Sequence, residues 1–251
     1  MFDTTVPLAD LGQRARDLVV QPLAEGLWRV HLGFVNAYAI ALEDGIALVD
    51  TGLVIHVPWI LHNIRPLGPL RHIVLSHAHV DHAGGARQLS QSTGAEVWAG
   101  RADAAMLEQG RCLRGHEPSP SVKGYAFTYA FARVHGPRMR ALPRVHPLDH
   151  GDALPFAPQV KVIGLPGHCL GQIGLRWTTP DGLRALFIGD ALGRFLEFGH
   201  PILYEDRAAG IETIRQVAAY AAEADMVLPG HGRPDQNAAE NIARFSDRLT
   251  A

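Results

Sequence analysis

The sequence predicts an α/β fold, on three observations. Short apolar runs rich in β-forming residues come in two blocks, 26–50 and 160–189. Segments with helical periodicity follow each block, as in folds that pack helices outside sheets. Five apolar runs end at or just before a histidine or an aspartate, the position where open sheets gather their sites.

In chain order, GLWRVHL (26–32), FVNAYAIAL (34–42) and GIALVD (45–50) read as strands parted by turn signals at Gly33 and Asp44-Gly45. A helix is expected over about 56–66, ended by Pro66. HIVLS (72–76) reads as a buried strand, the stretch after Asp81 as a helix, and AEVWA (95–99) as a further strand. VKVIGL (160–165), IGLRW (173–177) and LRALFIG (183–189) form the second block. Residues 206–224 are an Ala-rich helix with Ile211, Ile214, Val217 and Ala218 on one face. MVLP (226–229) is a short strand, and 237–249 a closing amphipathic helix.

Residues 101–146 break this rhythm. Their Lys and Arg outnumber their acids to a local balance of +5, and Tyr125, Phe127, Tyr129 and Phe131 alternate. Alternation favours a strand, the intervening alanines a helix, and both stay open. A long excursion of this kind serves as a lid over an anionic or acyl substrate or as a dimer contact, with a solvated basic face as the plainer reading.

The 251 residues are read as a single domain, 1–251. A net charge of -2 gives no pull toward nucleic acid or an anionic membrane. No apolar run approaches the roughly 20 residues that span a bilayer. Cys112 and Cys169 are too few for a disulfide framework, and the N-terminal residues lack a secretory h-region. A cytoplasmic protein acting on a small molecule is the expectation.

Ser76 to Gly85, SHAHVDHAGG, carries the chemistry. In extended chain, residues two apart point the same way, so His77 and His79 can present imidazoles to one point. Asp81 and His82 fall where the chain turns into a helix, and Gly84 and Gly85 let that helix pack closely. Three imidazoles and a carboxylate within six residues suit zinc, iron or manganese. Asp50, His168, Asp190 and His231 each follow a short apolar run. Any one of these reads as a cap or turn residue; together with His77 they point to one sheet edge. No G-x-S-x-G elbow supports a serine triad.

LVDTG (48–52), SHAHVDHAGG (76–85), GLPGHCLGQIG (164–174), FIGDAL (187–192) and LPGHG (228–232) resemble, in this order, the metallo-β-lactamase-fold hydrolase superfamily in its glyoxalase II-like or lactonase-like form. The resemblance implies an αββα four-layer sandwich holding two divalent metal ions, zinc before iron or manganese. By it, His77, His79 and His168 hold one metal, Asp81, His82 and His231 the second, and Asp190 bridges both. Asp50 would orient ligands without binding. A metal-bridging hydroxide, oriented by Asp81, would cleave a small ester, thioester or lactone.

The departures narrow the branch. The superfamily's true β-lactamases typically lack the bridging aspartate, so Asp190 disfavours that activity. Glyoxalase II proper carries a helical extension that binds glutathione, whereas 20 residues follow His231 here. Lactonase relatives often place a tyrosine shortly after the bridging aspartate; this chain has Asp190-Ala191-Leu192-Gly193, leaving Tyr204 or a tyrosine of 101–146 to substitute, if any does. A mononuclear-iron persulfide dioxygenase-like oxidoreductase and a non-catalytic ligand sensor on the same fold are the alternatives.

Overall fold

The computed structural model describes residues 18–120, 139–194 and 198–249. One sheet runs, in spatial order, β1 (Leu18–Ala24), β2 (Leu27–Leu32), β3 (Asn36–Leu42), β4 (Gly45–Val49), β5 (Leu70–Leu75), β6 (Glu96–Gly100) and β7 (His146–Leu148). Its first four strands are an antiparallel meander, and β5, β6 and β7 add in parallel. The second sheet contains β8 (Ala153–Leu154), β9 (Ala157–Gly164), β10 (Ile173–Thr178), β11 (Arg184–Gly189) and β12 (Met226–Pro229). There β12 lies parallel to β11 after a helical crossover.

Alternation along the strands divides the apolar residues among three cores. Tyr38, Ile40, Val49 and Val74 of the first sheet meet Val160, Val162, Leu175, Phe187 and Leu228 of the second. Their sequence neighbours Ala37, Ala39, Leu48, Ile73 and Leu75 face the opposite way, toward α1 (Val57–Ile64), α3 (Ala86–Thr93) and α4 (Arg101–Glu108). Leu186, Ile188 and Val227 face α5 (Arg207–Ala222) and α6 (Ala238–Arg248). Three cores thus separate four layers, helix, sheet, sheet, helix. Because both faces of these strands are buried, they read as near-continuous apolar runs.

Single bonds between the two sheets bring their strand ends together. Buried Asn36, at the start of β3, donates its side-chain amide to Pro229 O (2.8 Å), the last residue of β12, and its backbone N–H to Gly230 O (2.8 Å) just past it. Tyr38 Oη donates to the same Pro229 carbonyl (2.7 Å). On the far side, Ile173 N donates to Ser76 O (2.8 Å), joining the start of β10 to the end of β5. Helix α5 begins where the sequence places it, since Asp206 caps it by accepting from Ala209 N at 2.9 Å.

Two elements differ from the reading of the sequence. Strand β1 is an edge strand with no buried residue, and its register shifts between Pro22 and Ala24, so alternation there is weak. Residues 101–146 begin as helix α4, whose Asp103, Ala104, Met106 and Leu107 are buried. Two of the bases counted there are neutralised by acids: Arg101 pairs with Asp149 (2.6 Å), and Arg114 with Asp103 and Glu205 (2.8 Å each). The alternating aromatics 125–131 lie outside the described residues. No helix of the described residues is long and apolar enough to cross a membrane.

Candidate metal centre

The sequence-predicted side chains converge at one edge of the paired sheets. Asp50 follows β4, Ser76 and His77 follow β5, His168 follows β9, Asp190 follows β11, and His231 follows β12. Between them, α2 (Val80–Ala83) is a single helical turn that lifts Asp81 and His82 out of the extended His77–His79 stretch. Gly85 lets that turn sit on the loop after β4: a Cβ there would lie 2.8 Å from Thr51 O and 2.9 Å from Val57 Cγ2.

The donors fall into two halves that share Asp190. His77, His79 and His168 gather with the Cys169 sulfur, and Asp81, His82 and His231 gather beside them. Asp190 Oδ2 stands 3.6 Å from His168 Nε2, 3.5 Å from His82 Nε2 and 3.2 Å from His231 Nε2. Asp81 Oδ2 stands 3.4 Å from His231 Nε2 and 3.7 Å from His82 Nε2. Ligands bound at 2.0–2.1 Å to one tetrahedral ion stand about 3.3 Å apart, so these spacings fit metal ligation. Buried His77 Nε2, His168 Nε2 and Asp190 Oδ1 have no hydrogen-bond partner, and buried polar atoms ordinarily have one. Divalent cations at this cluster would supply the partners that the two imidazole nitrogens lack.

Each imidazole is held by its other nitrogen. His168 Nδ1 meets Leu203 O (2.9 Å) and His231 Nδ1 meets Phe34 O (2.7 Å); a carbonyl only accepts, so these nitrogens donate and Nε2 is left for the cluster. His82 Nδ1 donates to Asp50 Oδ2 at 2.9 Å. His77 Nδ1 contacts Ser76 Oγ (3.0 Å), which itself donates to Asp50 Oδ2 (2.7 Å). Asp50 therefore orients one imidazole of each half. It is buried, it also accepts from Ser76 N (2.7 Å), and it adopts a left-handed backbone (φ 62) that aspartate tolerates better than most side chains. Asp50→Asn keeps the shape and the backbone tolerance but lets one oxygen become an amide. Metal affinity is expected to fall by about 10–100-fold, read by chelator competition. An unchanged affinity would remove Asp50 from this role.

His79 is the exception in this pattern. Its Nε2 lies 3.3 Å from the sulfur of buried Cys169, leaving Nδ1 for a metal. The sequence reading assigned Cys169 no role, and only its place directly after His168 hints at one. Tyr204 does not stand in for the lactonase tyrosine: it is fully buried, and its hydroxyl is engaged with His200 Nδ1 at 2.6 Å.

The two halves carry opposite electrostatics. Burial, reinforced by neighbouring imidazoles, holds His77 well below the usual histidine range and brings His79 down to about 3. At His231 burial works the other way from its acids, yet Asp190 and Asp81 prevail and lift it to about 10. His231 is therefore protonated at pH 7 before a metal binds, whereas His79 is neutral. Ligation needs the neutral ring, so a metal taken up by the Asp81/His82/His231 half would release protons and would bind more tightly as pH rises through neutrality. Filling the other half does not. Calorimetric metal titrations in buffers of different ionisation enthalpy are expected to show proton release for one equivalent only; two equivalents without release would contradict this.

A four-layer α/β sandwich with a His/Asp donor cluster at its sheet edge defines a class of metal-binding protein. The family model of the metallo-beta-lactamase superfamily matches residues 31–231, and the chain belongs to that superfamily. It is 30% identical over 188 residues to hydroxyacylglutathione hydrolase of Rhodobacter capsulatus, covering 72% of this chain and 57% of that protein. It is 36% identical over 92 residues to the uncharacterized protein YobT of Bacillus subtilis (strain 168), covering 36% of this chain and 40% of that one. The matched part thus spans about half the length of these curated relatives. Among solved structures, a subclass B3 metallo-beta-lactamase from a soil metagenome library superposes with TM-score 0.70 at 22% identity, covering 92% of this chain and 94% of that one. BJP-1 of Bradyrhizobium japonicum, of the same subclass, gives 0.68 at 22% identity, covering 92% of each. Likeness at that identity carries the fold alone.

Proposed function

We propose that the protein is a binuclear metal-dependent hydrolase of small esters, thioesters or lactones. In this reading His77, His79 and His168 hold one ion, Asp81, His82 and His231 the other, and Asp190 bridges them. The observation that carries it is the position of Asp190 Oδ2, within 3.6 Å of histidine nitrogens from both halves. The relative at 30% identity, a hydroxyacylglutathione hydrolase, supports a carbonyl substrate of the thioester class.

Bound divalent ions at such a site supply a potent water-derived nucleophile at neutral pH and polarise a carbonyl. The chain's own residues place and protect that chemistry. Asp81 stays ionised: burial opposes its charge, but His82 and His231 hold its carboxyl well below the usual range. Its partly exposed carboxylate can thus accept an O–H and orient a water toward the substrate face. Phe34 stacks on His231 with ring centroids 6.0 Å apart, yet remains 53% exposed. Its ring also lies 6.5 Å from that of His56, whose neighbours Val54 and Ile55 are exposed too. Exposed apolar side chains beside a buried polar centre suit a substrate with an apolar acyl portion.

The test is a panel of esters, thioesters, lactones and phosphoesters offered to zinc-, iron- and manganese-loaded protein. Turnover of a carbonyl substrate is expected, faster with an apolar acyl chain than with a short polar one. Oxygen consumption with a glutathione persulfide, or no hydrolysis of any panel member, would contradict the proposal.

A further inference from the structure

Two carboxylates outside the donor set grip the loops that carry the three-histidine half. Asp103, at the start of α4, has no exposed surface. Its Oδ2 accepts from Ala78 N (3.0 Å), the residue between His77 and His79. Its Oδ1 accepts from Gly171 N (3.2 Å), three residues past His168. Glu205, whose side chain is 1% exposed, accepts from Leu170 N through Oε2 (2.8 Å). Its own N–H donates to Gly167 O (2.8 Å) and His168 O (3.1 Å). The two acids therefore hold the backbone on both sides of the half-site.

One guanidinium joins them. Arg114 Nη1 donates to Asp103 Oδ1 and to Glu205 Oε2, each at 2.8 Å, and Arg114 N donates to Glu205 Oε1 at 3.0 Å. A second guanidinium nitrogen donates to Ala102 O. Removing one partner from a buried charge group leaves the others uncompensated, so loss of Arg114 would leave both buried carboxylates without their cation. None of the three residues is one of the clustered donors, and the corresponding loops of the Asp81/His82/His231 half receive no hydrogen bond from them among the described residues.

We propose that Arg114, through Asp103 and Glu205, is a positioning residue that sets the geometry and affinity of the His77/His79/His168 half alone. This rests on the metal-centre reading above. The proposal assigns Arg114 no contact with substrate; it acts through backbone amides at Ala78, Leu170 and Gly171.

The experiment is a cobalt(II) titration of metal-free wild type and Arg114→Met, following the visible absorption of the bound ion and chelator competition, with thermal melting alongside. Arg114→Met is expected to weaken one cobalt equivalent by about 10–100-fold and to change its absorption, while the other equivalent binds as in wild type. Arg114→Lys, which keeps the charge but not the planar fork, is expected to recover part of that affinity. If Arg114→Met melts earlier yet binds both equivalents with wild-type affinity and spectrum, Arg114 is a plain structural brace and the proposal fails. Should Arg114→Met not fold, Glu205→Gln decides: a weakened single equivalent supports the clamp, and unchanged binding overturns it. Wild-type protein that takes up no cobalt would overturn the metal-centre reading and the clamp together, whereas an unaffected variant beside a normal wild type overturns the clamp alone.

Discussion

Asp190→Asn is expected to lower kcat/KM by about 10³-fold on whichever panel substrate wild type turns over. The amide has the carboxylate's shape but not its charge, and it cannot serve two cations with two anionic oxygens. Metal-assisted charge stabilisation contributes several kcal/mol to such reactions, and each 1.36 kcal/mol is a factor of ten. Asp190 is also buried and fully ionised: burial opposes the charge, but His231 and His82 hold its carboxyl well below the usual range. Removing that anion takes away the largest influence that raises the His82 and His231 pKa values, and these two rings face each other with Nε2 atoms 3.3 Å apart. Metal content should fall toward one ion per chain. A variant with two ions and near-wild-type turnover would show that Asp190 is not the bridge.

Gly230→Ala is expected to lower kcat/KM on the order of 10²-fold without replacing a donor. Gly230 is not held at positive φ, so alanine suits its backbone. The added Cβ, however, would lie 2.2 Å from Asp190 Oδ1 and 2.8 Å from His82 Cε1. Something must move, and the neighbours there are two proposed ligands from different motifs, His82 of SHAHVDHAGG and Asp190 of FIGDAL. A shift of about 1 Å at a reacting centre costs on the order of 10²-fold in rate. The measurement is kcat/KM with metal content and melting temperature. Wild-type turnover would mean that the loop relaxes outward and the Asp190–Gly230 contact does not constrain the site.

Most of the fold was legible because its strands bury both faces. Runs such as GIALV and MVLP are apolar throughout, and a chain can hide that much apolar backbone only inside a layered sheet. The candidate site was legible for a different reason. SHAHVDH packs four donors into seven residues, and the remaining donors sit at strand ends, so local pattern and sheet geometry point to one place.

What stayed hidden has no local signal. Asp103, Arg114 and Glu205 look in sequence like ordinary surface charges, and only tertiary packing makes them a buried cluster. Arg114 in particular reads as one more base in a basic segment until its acids are located. Strand β1 is an edge with Pro22 at a bulge, so it lacks the alternation that marks a half-buried strand. The ties from Asn36 to Pro229 and Gly230 join residues more than 190 positions apart. Phe34 sits in a run that reads as strand, and its exposure beside His231 follows from where the β2–β3 turn meets the loop after β12.

Stoichiometric reconstitution decides whether two ions act together at one centre. Metal-free protein is titrated with zinc while hydrolysis of the best panel substrate is followed against metal equivalents per chain. Most activity is expected to appear between the first and second equivalents and to level off at two. Full activity at one equivalent, with no change on adding the second, would contradict it.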